Sequence, residues 1–524
     1  MSAGSAPEPR AEGRLRVGAA LVALSERAGG DTLVRALLDH GAAVYATTGT
    51  AAYLRGLGLE VRAAELLTRT PEFLGGRVKT LSPDLFGAIL ARRGDADDER
   101  DLAARGLAPL DLVAVTLYPF ESVPAAAAWD EVVEQIDVGG VSLLRAAAKN
   151  FAHVAVLSTP EQYPEAGAAL AAGGTTLAER RGWAQAAFER TAEYDALISG
   201  FFAARGGGGL PAAWVRAYRR TRDLRYGENP HQEAALYTAA GRTAWWSEDP
   251  VLEGKELSFN NLVDLEAAAR IAYDFVEPAC AVVKHNEPSG VGLGATVAEA
   301  YRRAVAADEL SAFGGVVAVN REVDEECAAA MGGIFLECVA APSFGAAARA
   351  ELGKRKNLRA VVIPPAALAG DGWEMRARGH GLLVQRERPD AAAAETRVVT
   401  RRAPTAAELD ALRFAWRVAA RARSNAVVVA RADRTLGVGS GQTSRIDALH
   451  VALMKARRAG HDVRGAGLAS DGFFPFADWV EVARDAGLTA CIQPGGSVRD
   501  AESIAAADAA GLAMVFTGRR QFRH

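Results

Sequence analysis

Short apolar runs alternate with amphipathic stretches through the first part of the chain. Residues 17–24 form an apolar run, followed by a polar turn and by residues 31–40, whose apolar spacing predicts a helix. A second run at 42–47 is closed by Thr48-Gly49-Thr50 and leads into a helical stretch at 51–57. Residues 111–117 and 154–158 are further strand candidates. Strands alternating with helices predict an α/β fold with a doubly wound parallel sheet and ligands at the strand carboxyl ends. Residues 183–198 set Ala187, Thr191, Tyr194 and Ile198 at helical spacing, and Gly206-Gly207-Gly208-Gly209 follows. No element interior tolerates such a run, so residues 206–210 are expected to link two domains.

The second half also mixes strands and helices. Residues 280–284, 315–319, 360–363, 426–430, 490–493 and 513–517 are strand candidates. Asp264 is expected to cap a helix whose apolar face is Leu265, Ala268, Ala272 and Phe275. Two strands meet polar pairs that a core would not choose. Lys284-His285 closes one, and Ser424-Asn425 opens another. The matched placement hints at two similar subdomains.

At 524 residues the chain exceeds a single core. Lys and Arg total 60 against 64 Asp and Glu, so no global field recruits nucleic acid or an anionic membrane. An anionic ligand must be held by a few placed cations and backbone amides. The cysteines, Cys280, Cys327, Cys338 and Cys491, form no CxxC pair and no Cys/His ligand spacing. This argues against zinc and disulfides and suits a reducing compartment. Residues 1–13 read as a disordered tail without a signal-peptide core, and no stretch reaches membrane-spanning length. A cytoplasmic protein is expected.

Thr48-Gly49-Thr50, where a strand meets a helix, offers free amides and hydroxyls for a phosphate, and Ser25-Glu26-Arg27 occupies the equivalent turn after the first strand. Gly75-Gly76-Arg77-Val78-Lys79-Thr80-Leu81 puts two cations on alternate positions of what reads as an extended stretch. Leu117-Tyr118-Pro119-Phe120, Ile136-Asp137-Val138-Gly139-Gly140 and Ala146-Ala147-Ala148-Lys149-Asn150 follow. Together these segments resemble the IMP cyclohydrolase domain of the bifunctional purine biosynthesis family, a methylglyoxal-synthase-like fold expected here over residues 14–205. The resemblance places Lys79, Tyr118, Asp137 and Lys149 on catalytic positions, and Ser25, Arg27, Thr48, Gly49, Thr50 and Arg77 on phosphate-binding ones. Ring closure joins a carboxamide nitrogen to a formyl carbon and expels water. Ammonium and phenol groups suit the developing oxyanion and the leaving oxygen, and Asp137 either orients Lys149 or accepts a proton. Ala23, Ser82, Thr116 and Phe151 depart from the family pattern.

Arg225-Tyr226-Gly227-Glu228-Asn229-Pro230-His231-Gln232 and Lys284-His285-Asn286-Glu287-Pro288-Ser289-Gly290 are similar to the family's formyltransferase. So are Ser311-Ala312-Phe313-Gly314-Gly315, Gly441-Gln442-Thr443-Ser444-Arg445, Ser470-Asp471-Gly472-Phe473-Phe474-Pro475-Phe476 and the ending Phe522-Arg523-His524. The resemblance implies formylation of the 5-amino group of aminoimidazole carboxamide ribonucleotide by 10-formyltetrahydrofolate, the co-substrate. It assigns this step to residues 211–524, built as two cytidine-deaminase-like subdomains without the zinc signature, and it implies a homodimer. His285 is the expected general base, Lys284 stabilises the oxyanion or protonates folate N10, and Asn425 holds the carboxamide or the transition state. Arg225, Tyr226, His231, Asn261, Phe313, Glu337, Arg445, Phe473, Asp478 and Arg520 are expected around the ligands. Glu287 stands where the family usually has asparagine, and the residues alone leave its surroundings open.

Other readings are a formyltransferase with a ligand-binding but inactive first domain, a dinucleotide-dependent oxidoreductase, and a nucleotide-binding regulator. No GxGxxG follows the first strand, and Gly437-Val438-Gly439-Ser440-Gly441 has the wrong spacing for one.

Overall fold

A computed structural model describes residues 13–207, 209–246, 251–370, 372–387 and 395–524. Most of the expected N-terminal tail, residues 1–12, and Gly208 of the expected linker lie outside the described residues. The chain divides into two compact units. One runs to Arg219 and takes back Ala239–Arg242, and the other comprises Arg220–Thr238 and Thr243–His524.

The first unit is α/β. Its five-stranded sheet runs Arg62–Ala63, Ala43–Ala46, Ala19–Leu24, Leu112–Thr116, Ala155–Leu157, and every pairing is parallel. The first strand has the second on one side and the fourth on the other, so the chain reverses its winding there. A crevice opens at the carboxyl ends of such a pair. Leu21, Val22, Leu112 and Val113 are fully buried, as are Leu33 and Leu37 of the helix Gly30–Asp39 and Leu143 and Leu144 of the helix Gly139–Lys149. Each such side chain contributes roughly 1.5–3 kcal/mol of transfer free energy. The helix read from residues 183–198 is longer than its apolar spacing announces. It spans Leu177–Arg205, starts at a capping box between Thr176 and Glu179, and ends on Gly206.

The second unit is built on one sheet of twelve strands that holds two copies of a single plan. In the first copy the helix Phe259–Ala272 precedes a hairpin, Ala279–Lys284 with Glu287–Leu293. The helix Val297–Ala306 and the strands Gly315–Val319, Leu336–Ala341 and Arg359–Val362 follow. The second copy repeats this order with the helix Ala406–Arg421, the hairpin strands Val427–Arg431 and Arg434–Gly439, the helix Arg445–Arg458, and the strands Gly467–Ser470, Ala490–Gln493 and Ala513–Phe516. The copies meet antiparallel, with Gly292 opposite Arg434. The Thr435 hydroxyl accepts the Val291 N–H at 3.0 Å, and Leu293 N–H reaches the Asp433 carbonyl at 2.7 Å.

The glycines of the two joining strands are required by close approach. A Cβ on Gly290 would lie 1.9 Å from the Ala304 carbonyl oxygen, and one on Gly439 would lie 2.0 Å from that of Ala448. The run at 437–439 is therefore a strand seat for a helix. Pro288-Ser289-Gly290 lies within the strand Glu287–Leu293, where the register shifts between Pro288 and Gly290. One expectation is corrected. Asp264 caps nothing, because its helix starts at Ser258, which forms a capping box with Asn261.

One ion cluster ties the copies together. Asp308, 4% exposed, receives the Ser311 hydroxyl at 2.6 Å and Arg458 Nη2 at 3.0 Å, with Lys455 at 3.6 Å. Burial alone would raise its pKa. The Ser311 hydrogen bonds and the two cations outweigh that and hold the carboxyl below its usual 3.8. A depressed folded pKa gives stability that is present above the unfolded pKa and is lost as pH falls through the folded value. Asp308→Asn is expected to cost about 2 kcal/mol in urea unfolding at pH 7, the scale of a hydrogen bond to a charged group, and the difference from wild type should shrink once the pH drops below the carboxylate range.

Candidate active sites

In the first unit the paired strand ends bring the expected phosphate groups to one edge. Leu24 lies opposite Thr116, and Val22 opposite Ala46, so the segments after these three strands are neighbours. Thr48, Gly49 and Thr50 are not a turn ahead of a helix but its first turn, since the helix spans Thr48–Gly56. Amides there have no partner within the helix, and nothing lies within 4 Å of where a Gly49 Cβ would stand. The Thr50 hydroxyl accepts the Leu24 N–H at 2.9 Å and so anchors this turn to the first strand. Thr48 donates to Glu65 at 3.1 Å. Arg27 lies over the Tyr53 ring at 4.9 Å. The backbone around Ser25 is pinned to the fourth strand, Ser25 N–H to the Thr116 carbonyl and Glu26 N–H to the Thr116 hydroxyl.

The stretch carrying Arg77 and Lys79 is a tight loop, not an extended one. Leu74, Gly75 and Gly76 have φ of 55°, 64° and 90°, and Phe73 and Val78 close the loop by exchanging backbone hydrogen bonds. Arg77 pairs with Glu134. Lys79 is exposed and acts electrostatically on Asp137. Asp137 sits just before the helix Gly139–Lys149, where its carboxylate accepts the Gly140 N–H at 2.7 Å. Side chains on Gly139 or Gly140 would collide with Thr80 and with Asp137 itself. Tyr194, read from the sequence only as one face of a helix, accepts the Asp137 N–H and donates to the Gln135 carbonyl, each at 2.9 Å. Tyr118, 39% exposed, follows the fourth strand. Lys149 does not join this group. It lies one helix length from Asp137, about 16 Å, so within one chain Asp137 does not orient it.

The second unit's expected groups gather at one end of the sheet. His285 and Asn286 form the two-residue turn between Lys284 and Glu287, with φ of 54° and 64°. Positive φ at both positions is what a tight hairpin matched to strand twist requires. Lys284 Nζ donates to the Phe313 carbonyl at 2.8 Å, and the exposed Phe313 ring packs on Phe335. Asn425 is held from two sides. Arg445 Nη2 donates to its Oδ1 at 2.6 Å, and its own Nδ2 donates to the Gln442 carbonyl at 2.8 Å. Arg445 is buried against Asp471 and Ser470. Glu287, open in the sequence, is half-buried, and its Oε2 accepts the Arg423 N–H at 3.0 Å. Burial pushes its pKa up, while that N–H, Ser440 and the charge of Arg523 pull it back. Glu287 thus ties the strand that follows the turn to the residue just before Ser424-Asn425.

Asn261 donates to Glu337 at 2.9 Å. Residues 227–232 close on themselves, Gly227 N–H to the Gln232 carbonyl, and Asn260 ties the loop to its helix through the Glu228 carbonyl. This leaves His231 exposed, with Arg225 over the Tyr226 ring at 5.3 Å. Arg520 lines a cavity of about 670 Å³ with Arg376, Arg378, Arg386, Arg523 and His524. Phe473 is 39% exposed, and Asp478 begins the helix Asp478–Asp485. No hydrogen bond or ion pair joins Asp478 to the other candidates among the described residues. All four cysteines are buried, and no group of three metal-ligating side chains comes together among the described residues.

Known proteins match both units. Residues 147–455 match the AICARFT/IMPCHase bienzyme family, and residues 31–142 match the MGS-like domain. The bifunctional purine biosynthesis protein PurH of Anaeromyxobacter sp. (strain K) is 47% identical, over 96% of this chain and 99% of its own. The chain belongs to the AICARFT/IMPCHase bienzyme family. The PurH proteins of Chloroflexus aurantiacus, 47% identical over 98% of this chain and all of theirs, and of Myxococcus xanthus, 45% identical over 96% and 100%, are further relatives. The crystal structure of ForH is 37% identical over 36% of this chain and 98% of its own, with a TM-score of 0.33. Within this bienzyme family the first unit carries the MGS-like part, and no helix among the described residues is long and apolar enough to cross a membrane.

Burial raises the Asp137 pKa above 3.8, and the N–H groups of Gly140 and Tyr118 and the charge of Lys79 each offset part of the rise. Removing that charge with Lys79→Met is expected to move the Asp137 carboxyl titration further upward. A ¹³C titration of the side-chain carboxyl reads the shift, and an unchanged or lower value would contradict this electrostatic link.

Proposed function

We infer that this chain carries out the last two steps of IMP synthesis. It transfers a formyl group from 10-formyltetrahydrofolate to the 5-amino group of aminoimidazole carboxamide ribonucleotide, then closes the ring with loss of water. The observation that carries this reading is relatedness over nearly the whole chain, 45–47% identical to proteins named bifunctional purine biosynthesis protein PurH, in a chain where Glu287, next to the His285-Asn286 turn, accepts the Arg423 N–H two residues before Asn425.

Formyl transfer belongs to residues 211–524. The amine of the nucleotide is delocalised into an electron-poor ring and attacks poorly, so His285 takes its proton as the nitrogen bonds to the formyl carbon. Lys284 keeps two N–H groups after donating to Phe313. They stabilise the tetrahedral oxyanion or protonate N10 as the carbon–N10 bond breaks and tetrahydrofolate leaves. Asn425, with one amide hydrogen and one lone pair uncommitted, holds the carboxamide. Arg225, Tyr226, Asn261, Glu337 and Arg445 bind the nucleotide, Phe313 and Phe473 lie around the ligands, and His231, Asp478 and Arg520 complete the substrate-binding set. The matched order of elements supports two cytidine-deaminase-like subdomains.

Ring closure belongs to residues 14–205. The amides of Thr48, Gly49 and Thr50, with Ser25, Arg27 and Arg77, cradle the phosphate at the sheet's switch point. Lys79, Tyr118 and Asp137 serve the oxyanion and the departing water, while Lys149, which the resemblance also places on a catalytic position, stands a helix length away from them in one chain, about 16 Å. The fold accommodates each of the four departures from the family pattern. Ser82 donates to the Thr68 carbonyl at 3.0 Å, Thr116 fastens the Glu26 backbone, and Phe151 and Ala23 pack against the core. The resemblance supports a homodimer, and four buried thiols support a cytoplasmic setting.

Lys284→Ala or His285→Ala is expected to abolish formyl transfer, lowering it at least about 100-fold, while supplied formylated nucleotide still closes to IMP. Lys79→Ala should do the reverse and let the formylated intermediate accumulate. Chromatography of both nucleotides separates these outcomes, and loss of both steps in a folded single variant would overturn the assignment of one step to each unit.

A further inference from the structure

The His285-Asn286 turn is held at φ of 54° and 64°, a region that His and Asn enter more readily than most side chains but still at a cost. Two consecutive non-glycine residues at positive φ cost on the order of 1 kcal/mol each, and such backbone persists only where its surroundings over-determine it. Two side chains far apart in sequence do so. From the helix Phe259–Ala272, Asp264 Oδ1 accepts the Asn286 N–H at 2.5 Å. From the chain end, Arg523 Nη2 donates to Asn286 Oδ1 at 2.8 Å, and its Nη1 reaches the Asn286 carbonyl at 3.3 Å.

The second grip also spans the two copies of the repeat. Arg523 Nη1 donates to the Arg421 carbonyl, and the Arg523 carbonyl accepts the Ser424 N–H at 2.8 Å, one residue before Asn425. Arg421 in turn makes a bidentate pair with Asp274, both contacts at 2.6 Å. The penultimate residue thus links the turn that carries His285 to the segment that carries Asn425. Neither Asp264 nor Arg523 is needed to explain proton transfer or ligand contact at this site.

We propose that Asp264 and Arg523 are positioning residues for formyl transfer, gripping the His285-Asn286 turn by its N–H and its carbonyl so that Lys284 and His285 stay in register with Asn425. The inference rests on the reading that these groups transfer the formyl unit. Loosening the turn should cost rate rather than affinity, because ligand-binding groups stay in place while the attacking geometry is lost.

The test measures kcat and nucleotide KM for formyl transfer in the full chain, for wild type, Arg523→Met, Arg523→Lys, Asn286→Gly and the double variant Asn286→Gly/Arg523→Met. Glycine keeps the turn's backbone and removes the Oδ1 acceptor. Arg523→Met is expected to lower kcat about 10- to 100-fold with KM within about threefold of wild type. Arg523→Lys should recover part of the loss, and the double variant should be no worse than Arg523→Met, since Arg523→Met already removes the one contact that Asn286→Gly removes. Asp264→Ala should lower kcat in the same way, with Asp264→Asn, which keeps an acceptor, recovering part.

An unchanged kcat, a loss confined to KM, or losses that multiply in the double variant would overturn the proposal. If Arg523→Met fails to melt cooperatively, Arg523→Lys and Asn286→Gly decide by the same split. A wild-type chain that makes no formylated nucleotide would instead overturn the functional reading on which the proposal stands.

Discussion

The second unit depends on how two hairpins share a sheet. The strands Glu287–Leu293 and Arg434–Gly439 meet side by side, with Gly292 opposite Arg434 and the Thr435 hydroxyl serving the Val291 N–H. That joint fixes where the ends of the hairpins lie. The turn after Lys284 comes to rest by the segment that opens the partner strand at Asn425, and Glu287 and Arg523 cross between them. Neither copy holds the whole set of groups. The price of the joint is paid in side chains. Gly290, Gly292, Gly437 and Gly439 leave room for helix backbone that any Cβ would strike.

This explains which parts were legible in the sequence. In the first unit the strands Ala19–Leu24, Leu112–Thr116 and Ala155–Leu157 are continuous apolar runs, as buried parallel strands are. Arg62–Ala63, two residues long at the sheet edge, has no such run. The joining strands of the second unit escaped because glycine and Pro288 argue against a strand interior, although they occur there for close helix approach and at a register shift. The repeated Gly-x-Gly was the available signal.

Chemistry was more legible than its supports. Motifs placed Lys284, His285, Asn425 and Arg445 in one neighbourhood, and Arg445 does bind Asn425. The braces were invisible because each works across the fold. Asp264 reads locally as a helix cap, yet its carboxylate meets a turn 22 residues away. Tyr194 reads as a core face, yet its hydroxyl holds the Asp137 backbone. With charges nearly balanced over the chain, no global field substitutes for a few placed cations.

The most direct measurement is a crystal structure of the full chain with aminoimidazole carboxamide ribonucleotide bound. The account predicts the 5-amino nitrogen within about 3 Å of the His285 imidazole, with the carboxamide against Asn425. A nucleotide bound away from the Lys284-His285 turn, or one found with those side chains directed elsewhere, would contradict it.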